Sequence, residues 1–203
     1  MLRLSILCCF LIPIGLAAQS FQNTDFETPA GTPGQPAAWT VDRLADPATA
    51  LVPAPGRAGR ALRLTGPFTA YDSGLAYQEI ANDRKELTRY TITGRIRTDN
   101  VDGEGAHLYA YGKGADGGSY IGYAASEDLR GTNDWTTVSL NFYIDARVDT
   151  IRLGCFLTGG GTAWFDDITW EEVPFDNLPP TDSAAAYLDT LFQHLTTMAL
   201  GRE

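Results

Sequence analysis

Residues 135–145 read WTTVSLNFYID. Val138, Leu140, Phe142 and Ile144 alternate with Ser139, Asn141, Tyr143 and Asp145. Neighbouring side chains of a strand point to opposite faces, so this stretch is a β-strand with one apolar and one polar face. The following run repeats the pattern: Ile151, Leu153, Cys155 and Leu157 stand against Arg152, Gly154, Phe156 and Thr158. Upstream, Tyr90, Ile92 and Ile96 oppose Thr91, Thr93, Arg95 and Arg97. Such faces are buried by laying one sheet on another.

Short runs of this kind, separated by Gly, Pro, Asp and Asn, continue from Phe21 to Pro174. Strands are predicted at Trp39–Arg43, Ala61–Gly66, Ala76–Ile80, Leu87–Thr98, Ala106–Tyr111, Ser119–Ala125, Trp135–Ile144, Thr150–Leu157 and Thr162–Val173. Residues 43–60, rich in Pro, Ala and Gly, read as a surface connection. The GKGADGG run at 112–118 reads as a hairpin loop, with Lys113 a solvated loop charge. No helical pattern intervenes. The fold class is all-β, an antiparallel β-sandwich whose expected form is a jelly roll.

The two ends differ from this middle. Arg3 followed by the apolar run 4–16 and small Gly15, Ala17 and Ala18 reads as a signal peptide over residues 1–18. The run is too short for a membrane span. The protein is therefore expected to be exported, periplasmic or extracellular, with no membrane contact after cleavage. Cys8 and Cys9 leave with the leader, and Cys155 alone cannot form an internal disulfide. The β-sandwich is assigned to 19–173 and a Pro-stiffened linker to 174–182. In 183–203, Leu188, Leu191, Phe192, Leu195 and Met198 recur at helical spacing. A lone amphipathic helix is marginal in water, so this C-terminal helix is expected to dock on its own sandwich, a partner protein or a peptidase domain. The net charge of −10 argues against nucleic acid and anionic membranes as partners.

Acids cluster at two distant places, Asp25 and Glu27 in NTDFE and Asp166 and Asp167 in GTAWFDDITW. Strand alternation sends Asp166 and Asp167 to opposite faces, which weakens any catalytic carboxylate pair. The first and last strands of sandwiches are often neighbours. Should these meet, the carboxylates either remain separate surface acids or share a hard cation, for which structural Ca²⁺ is suited.

Several motifs recur in order: Asn23-Thr24-Asp25-Phe26-Glu27, Trp39, GRALRL at 59–64, GTNDW at 131–135 and GTAWFDDI at 161–168. Together they resemble the galactose-binding-like jelly rolls, which include many carbohydrate-binding modules. The resemblance covers roughly residues 20–173. It implies a structural Ca²⁺ held by Glu27 and Asp167. A nearer likeness is to the jelly roll preceding the catalytic domain of some exported bacterial tail-specific serine peptidases. In those, too, a proline-containing linker leads into a helix resembling AYLDTLFQHLTTMALGRE. The Ser/Lys peptidase domain itself has no counterpart in this chain, so the resemblance implies a non-catalytic accessory module.

A binding surface is sought among outward side chains that suit a glycan or a peptide. Rings stack on the apolar faces of sugars, while Arg, Asn and His bond hydroxyls. The candidates are Arg95, His107, Tyr109, Tyr111, Asn141 and Tyr143, with Arg97, Tyr120, Arg152 and Phe156 beside them. The alternative is that the tyrosine stripe is buried and Leu108 and Ala110 point outward. Catalytic patterns are weaker: Ser126-Glu127-Asp128 shows no histidine partner in sequence, and His107 and His194 do not form a zinc pair.

Overall fold

The computed structural model describes residues 20–41, 49–68, 73–118 and 120–174. The expected signal peptide, the linker beyond Pro174 and the C-terminal helix lie outside the described residues. The strands are β1 (Thr40–Val41), β2 (Thr49–Pro53), β3 (Arg60–Thr65), β4 (Gly74–Ala81), β5 (Thr88–Lys113), β6 (Tyr120–Ala125), β7 (Leu129–Ile144), β8 (Thr150–Thr158) and β9 (Thr162–Glu172). They hydrogen-bond in the order β1-β4-β8-β5-β9-β3-β2, and β6 and β7 also pair with β5. Every pairing is antiparallel.

β5 belongs to both layers. Its residues 88–99 lie between β7 and β9, and residues 105–113 lie between β8 and β6. The change of layer falls at residues 100–105, where Asn100, Gly103 and Gly105 have positive φ and the register shifts. Left-handed residues release the pleat at such a corner. One layer is thus β2-β3-β9-β5-β7 and the other β1-β4-β8-β5-β6. Their inner faces meet: a Cβ on Gly94 would stand 2.7 Å from Leu108 Cδ1.

The alternation read at 138–144 and 151–157 holds. Val138, Leu140, Phe142, Ile144, Ile151, Leu153, Cys155 and Leu157 are all buried in one core with Ile92, Ile96, Leu108 and Ala110. Burying a side chain of this size stabilises by about 1.5–3 kcal/mol. Phe26 and Phe165 share that core, and Ile168 N–H donates to Thr24 O at 2.9 Å. The opening motif therefore lies against the last strand, as expected.

Three expectations are corrected. Leu87–Thr98 and Ala106–Tyr111 are one strand, because the glycines between them turn the chain without ending the ladder. Within 43–60, Thr49–Pro53 is a strand with Leu51 buried. Its one proline, Pro53, falls at the end of the ladder, where a missing N–H costs little. Lys113 is the last residue of β5, not a loop charge.

Candidate functional site

The outer face of the β4-β8-β5-β6 layer is aromatic. Register aligns Tyr77 of β4, Gly154 of β8, Tyr109 of β5 and Ala125 of β6 across it. The adjacent row aligns Glu79, Arg152, Tyr111 and Tyr123. His107 lies beside Phe156 in the row on the other side. Odd-numbered residues of β5 point here because the even ones, Ala106, Leu108 and Ala110, fill the core. Tyr120 joins the face because Gly122, with φ of 79°, bulges β6 between Tyr123 and Ile121.

The rings form a floor and a rim. Tyr109 is 5% exposed and Tyr111 7%. They stack at 6.0 Å, and Tyr109 meets Phe156 edge-on at 6.4 Å. Gly154 leaves the space that the Tyr109 ring fills. His107 stacks on Phe156 at 4.5 Å, and its Nδ1 is 2.8 Å from Asp128 Oδ1. Above this floor, Tyr120 is 68% exposed and Tyr123 50%. Tyr120 leans on Tyr111 at 5.0 Å.

One charged group is built into the floor. The Arg152 guanidinium lies 3.7 Å from the Tyr77 ring centre and 5.1 Å from that of Tyr111. Glu79 Oε1 accepts from Arg152 Nε at 2.7 Å and from Lys113 Nζ at 2.5 Å. Burial works against the Glu79 charge, but these two cations hold its carboxyl below the usual value. Burial pushes Tyr111 up to about 12 and Tyr109 higher still, against the pull of Arg152. Burial also lowers His107, by more than Asp128 raises it. At neutral pH the phenols and the imidazole are uncharged hydrogen-bonding groups.

The six predicted ligand residues do not form one site. His107, Tyr109 and Tyr111 lie on this face, but Arg95, Asn141 and Tyr143 lie on the outer face of the opposite layer. There Asn141 accepts from Thr91 Oγ1 at 2.9 Å, and Arg89 pairs in register with Tyr143. Both sets are outward, and sequence alternation cannot tell one outward face from the other. Tyr77, Glu79, Lys113 and Tyr123 were missed. The alternation of Tyr77 and Glu79 with Ala76 and Gln78 in LAYQE was the available signal.

The acids meet differently from the expectation. β9 carries an extra residue against β5, since Thr93 pairs with Thr169 but Arg95 with Asp166. Asp167 takes a φ of 49° at this bulge. Alternation is therefore broken, and both carboxylates reach one guanidinium. Arg57 Nη1 is 3.0 Å from Asp166 Oδ2, and Arg57 Nη2 is 2.6 Å from Asp167 Oδ2. Arg95 Nε stands 3.7 Å from Asp167. Trp135 covers Arg57, with its ring centre 5.2 Å from the guanidinium carbon. Glu27 adds to the field on Arg57 and accepts from Arg60 N–H at 2.9 Å. Asp25 instead accepts from the Glu27 amide at 3.4 Å, because 23–27 is a turn with Asn23 and Phe26 left-handed, not a strand. Asp166 is 3% exposed, and burial pushes it up to about 6. The donor set implied for Ca²⁺ thus holds a guanidinium. Among the described residues, no group of three His, Cys, Asp or Glu side chains is arranged for a metal, and the set as folded does not fit one.

His107 does have an acid partner in Asp128, but the Ser126 hydroxyl is engaged with the backbone, accepting from Leu108 N–H and donating to Glu127 O. A hollow of about 410 Å³ lies elsewhere, between residues 83–89 and the end of β9, with charged walls.

No protein-family model and no curated protein matches the chain. Solved structures do match in fold. The enzymatically active domain of tailspike protein 4 from bacteriophage CBA120 aligns over 76% of this chain with a TM-score of 0.54 and 11% identity. This chain spans 21% of that one. TmCBM61, solved in complex with β-1,4-galactotriose, aligns over 75% of this chain and 97% of its own, with a TM-score of 0.50 and 16% identity. The fold is a β-sandwich of the kind seen in these structures. At these identities the likeness is one of architecture alone.

Proposed function

We propose that this chain is a non-catalytic module that binds carbohydrate on the outer face of the β4-β8-β5-β6 layer. The observation that carries this is the exposed rim of Tyr120 and Tyr123 over a rigid floor of Tyr77, Tyr109, Tyr111 and Phe156. Pyranose rings present apolar C–H faces that stack on such rings. His107 and the Arg152–Glu79 pair offer fixed donors and acceptors for hydroxyls. The complex of TmCBM61 with galactotriose supports the same class of ligand for this fold.

Export, and service as the accessory domain of a tail-specific peptidase, belong to the same proposal. They rest on the sequence of residues 1–18 and 174–203 and on the resemblance given above.

Calorimetric titration with β-linked galacto-, xylo- and gluco-oligosaccharides tests the binding. Tyr120→Ala should weaken the bound sugar about tenfold without lowering the melting temperature. Absence of binding to every sugar, acidic oligosaccharides included, or loss of binding through Tyr143→Ala instead, would overturn the proposal.

A further inference from the structure

We propose that the preferred ligand is an anionic glycan, a chain of carboxylate-bearing pyranoses, recognised by the Lys113–Arg152–Glu79 cluster. The inference rests on the carbohydrate reading above and names its substrate class.

Two cations of the aromatic face converge on one carboxylate, and on one oxygen of it. Lys113 Nζ lies 2.5 Å from Glu79 Oε1, and Arg152 reaches the same atom through Nε at 2.7 Å and Nη2 at 2.5 Å. Two positive groups against one negative leave the cluster at +1, in a chain whose net charge is −10. A neutral sugar carries no charge for this excess cation to attract, whereas a carboxylate does.

The cations are also built to stay in place. Arg152 lies between the rings of Tyr77 and Tyr111, and Lys113 Nζ stands 5.9 Å from the Tyr111 ring centre. Their side chains are 17% and 23% exposed, so they are shielded yet reachable. Tyr120, the most exposed ring of the rim, leans on the same Tyr111. A pyranose stacked on Tyr120 therefore sits beside Lys113, its register partner across β5 and β6. A guanidinium and an ammonium together suit a planar carboxylate.

The experiment is calorimetric titration of the full chain with oligogalacturonate, oligoglucuronate and oligomannuronate, each beside its carboxyl-reduced neutral counterpart. At least one acid form should bind about tenfold tighter than its reduced partner at low salt. The preference should shrink near 0.5 M salt, about where screening becomes short-ranged. Lys113→Gln should cut acid-form affinity by a larger factor than neutral-form affinity. Lys85→Gln, the same charge change away from the face, should alter neither. Equal or weaker binding of every acid form, with Tyr120-dependent neutral binding intact, would overturn the anionic class and leave the carbohydrate reading standing. An equal effect of Lys85→Gln would overturn it too. No binding of either form, including the neutral panel, would overturn both.

Discussion

Gly154 lies directly opposite Tyr109 in the β5–β8 ladder, and the tyrosine ring occupies the space a side chain at 154 would need. The nearest atoms to a Cβ there are Cζ, Cε1 and Oη of that ring. Tyr109 is closed in further by Tyr111 and Phe156. Gly154→Ala should therefore cost about 1–3 kcal/mol as the floor shifts. It should lower the melting temperature and change the near-UV tyrosine dichroism, while far-UV dichroism stays that of the sheet. A silent alanine would mean the ring is free to move.

Arg57 joins the β2–β3 turn to the bulge of β9 by pairing with Asp166 and Asp167. Removing it leaves Asp166 buried beside Asp167 with less compensation. Arg57→Ala should destabilise by about 1–3 kcal/mol, below the full buried-pair value because the Arg57 side chain is 24% exposed. With the guanidinium gone, the acids regain the character expected of a calcium site. Wild type should melt alike in millimolar Ca²⁺ and in EGTA, whereas Arg57→Ala should melt higher in Ca²⁺. A melting temperature of wild type that falls in EGTA would show that Arg57 does not do the metal's work.

Asp166 should also write itself into the pH dependence of stability. Its folded pKa is raised from 3.8 to about 6 by burial, with Asp167 adding and Arg57 opposing. A carboxyl that holds its proton more tightly folded than unfolded contributes stability that is complete below about pH 3.8 and is lost as pH rises through about 6. Asp166→Asn removes that slope. Relative to wild type, the variant should gain stability on going from pH 4.5 to pH 7.5, read as the difference in denaturant midpoint. A difference that stays constant with pH would contradict the assignment.

The legible part of this protein was whatever obeys alternation. The runs at 138–144 and 151–157 gave their inner faces correctly because each has a continuous apolar stripe. Alternation fails where a left-handed residue breaks the pleat. Asp167 is one such place, and there two acids read as facing apart converge on Arg57. Residues 100–105 are another, and there one strand passes between layers. The predicted binding set was split between two outer faces for a related reason. His107 and Asn141 are both outward, but which layer each strand joins depends on pairing between distant segments. Arg57 itself lay in a Pro/Ala/Gly stretch with no pattern to mark it.

His107 gives a pH signature of opposite sign. It is buried on Phe156 with Asp128 on Nδ1, and burial holds its folded pKa below 6.5 despite that acid. A histidine kept neutral in the fold contributes stability that is full above pH 6.5 and is lost as pH falls towards its folded value. As pH falls from about 6.5 towards that folded value it therefore works against Asp166. His107→Gln, which keeps a polar side chain but cannot titrate, should remove the loss on acidification. Below pH 6 the variant should close its stability gap to wild type, and the double variant with Asp166→Asn should lose both slopes. Since the two sites sit in different layers, their effects should add within about 0.5 kcal/mol. Strong non-additivity, or a gap between His107→Gln and wild type that widens in acid, would mean the imidazole is charged in the fold.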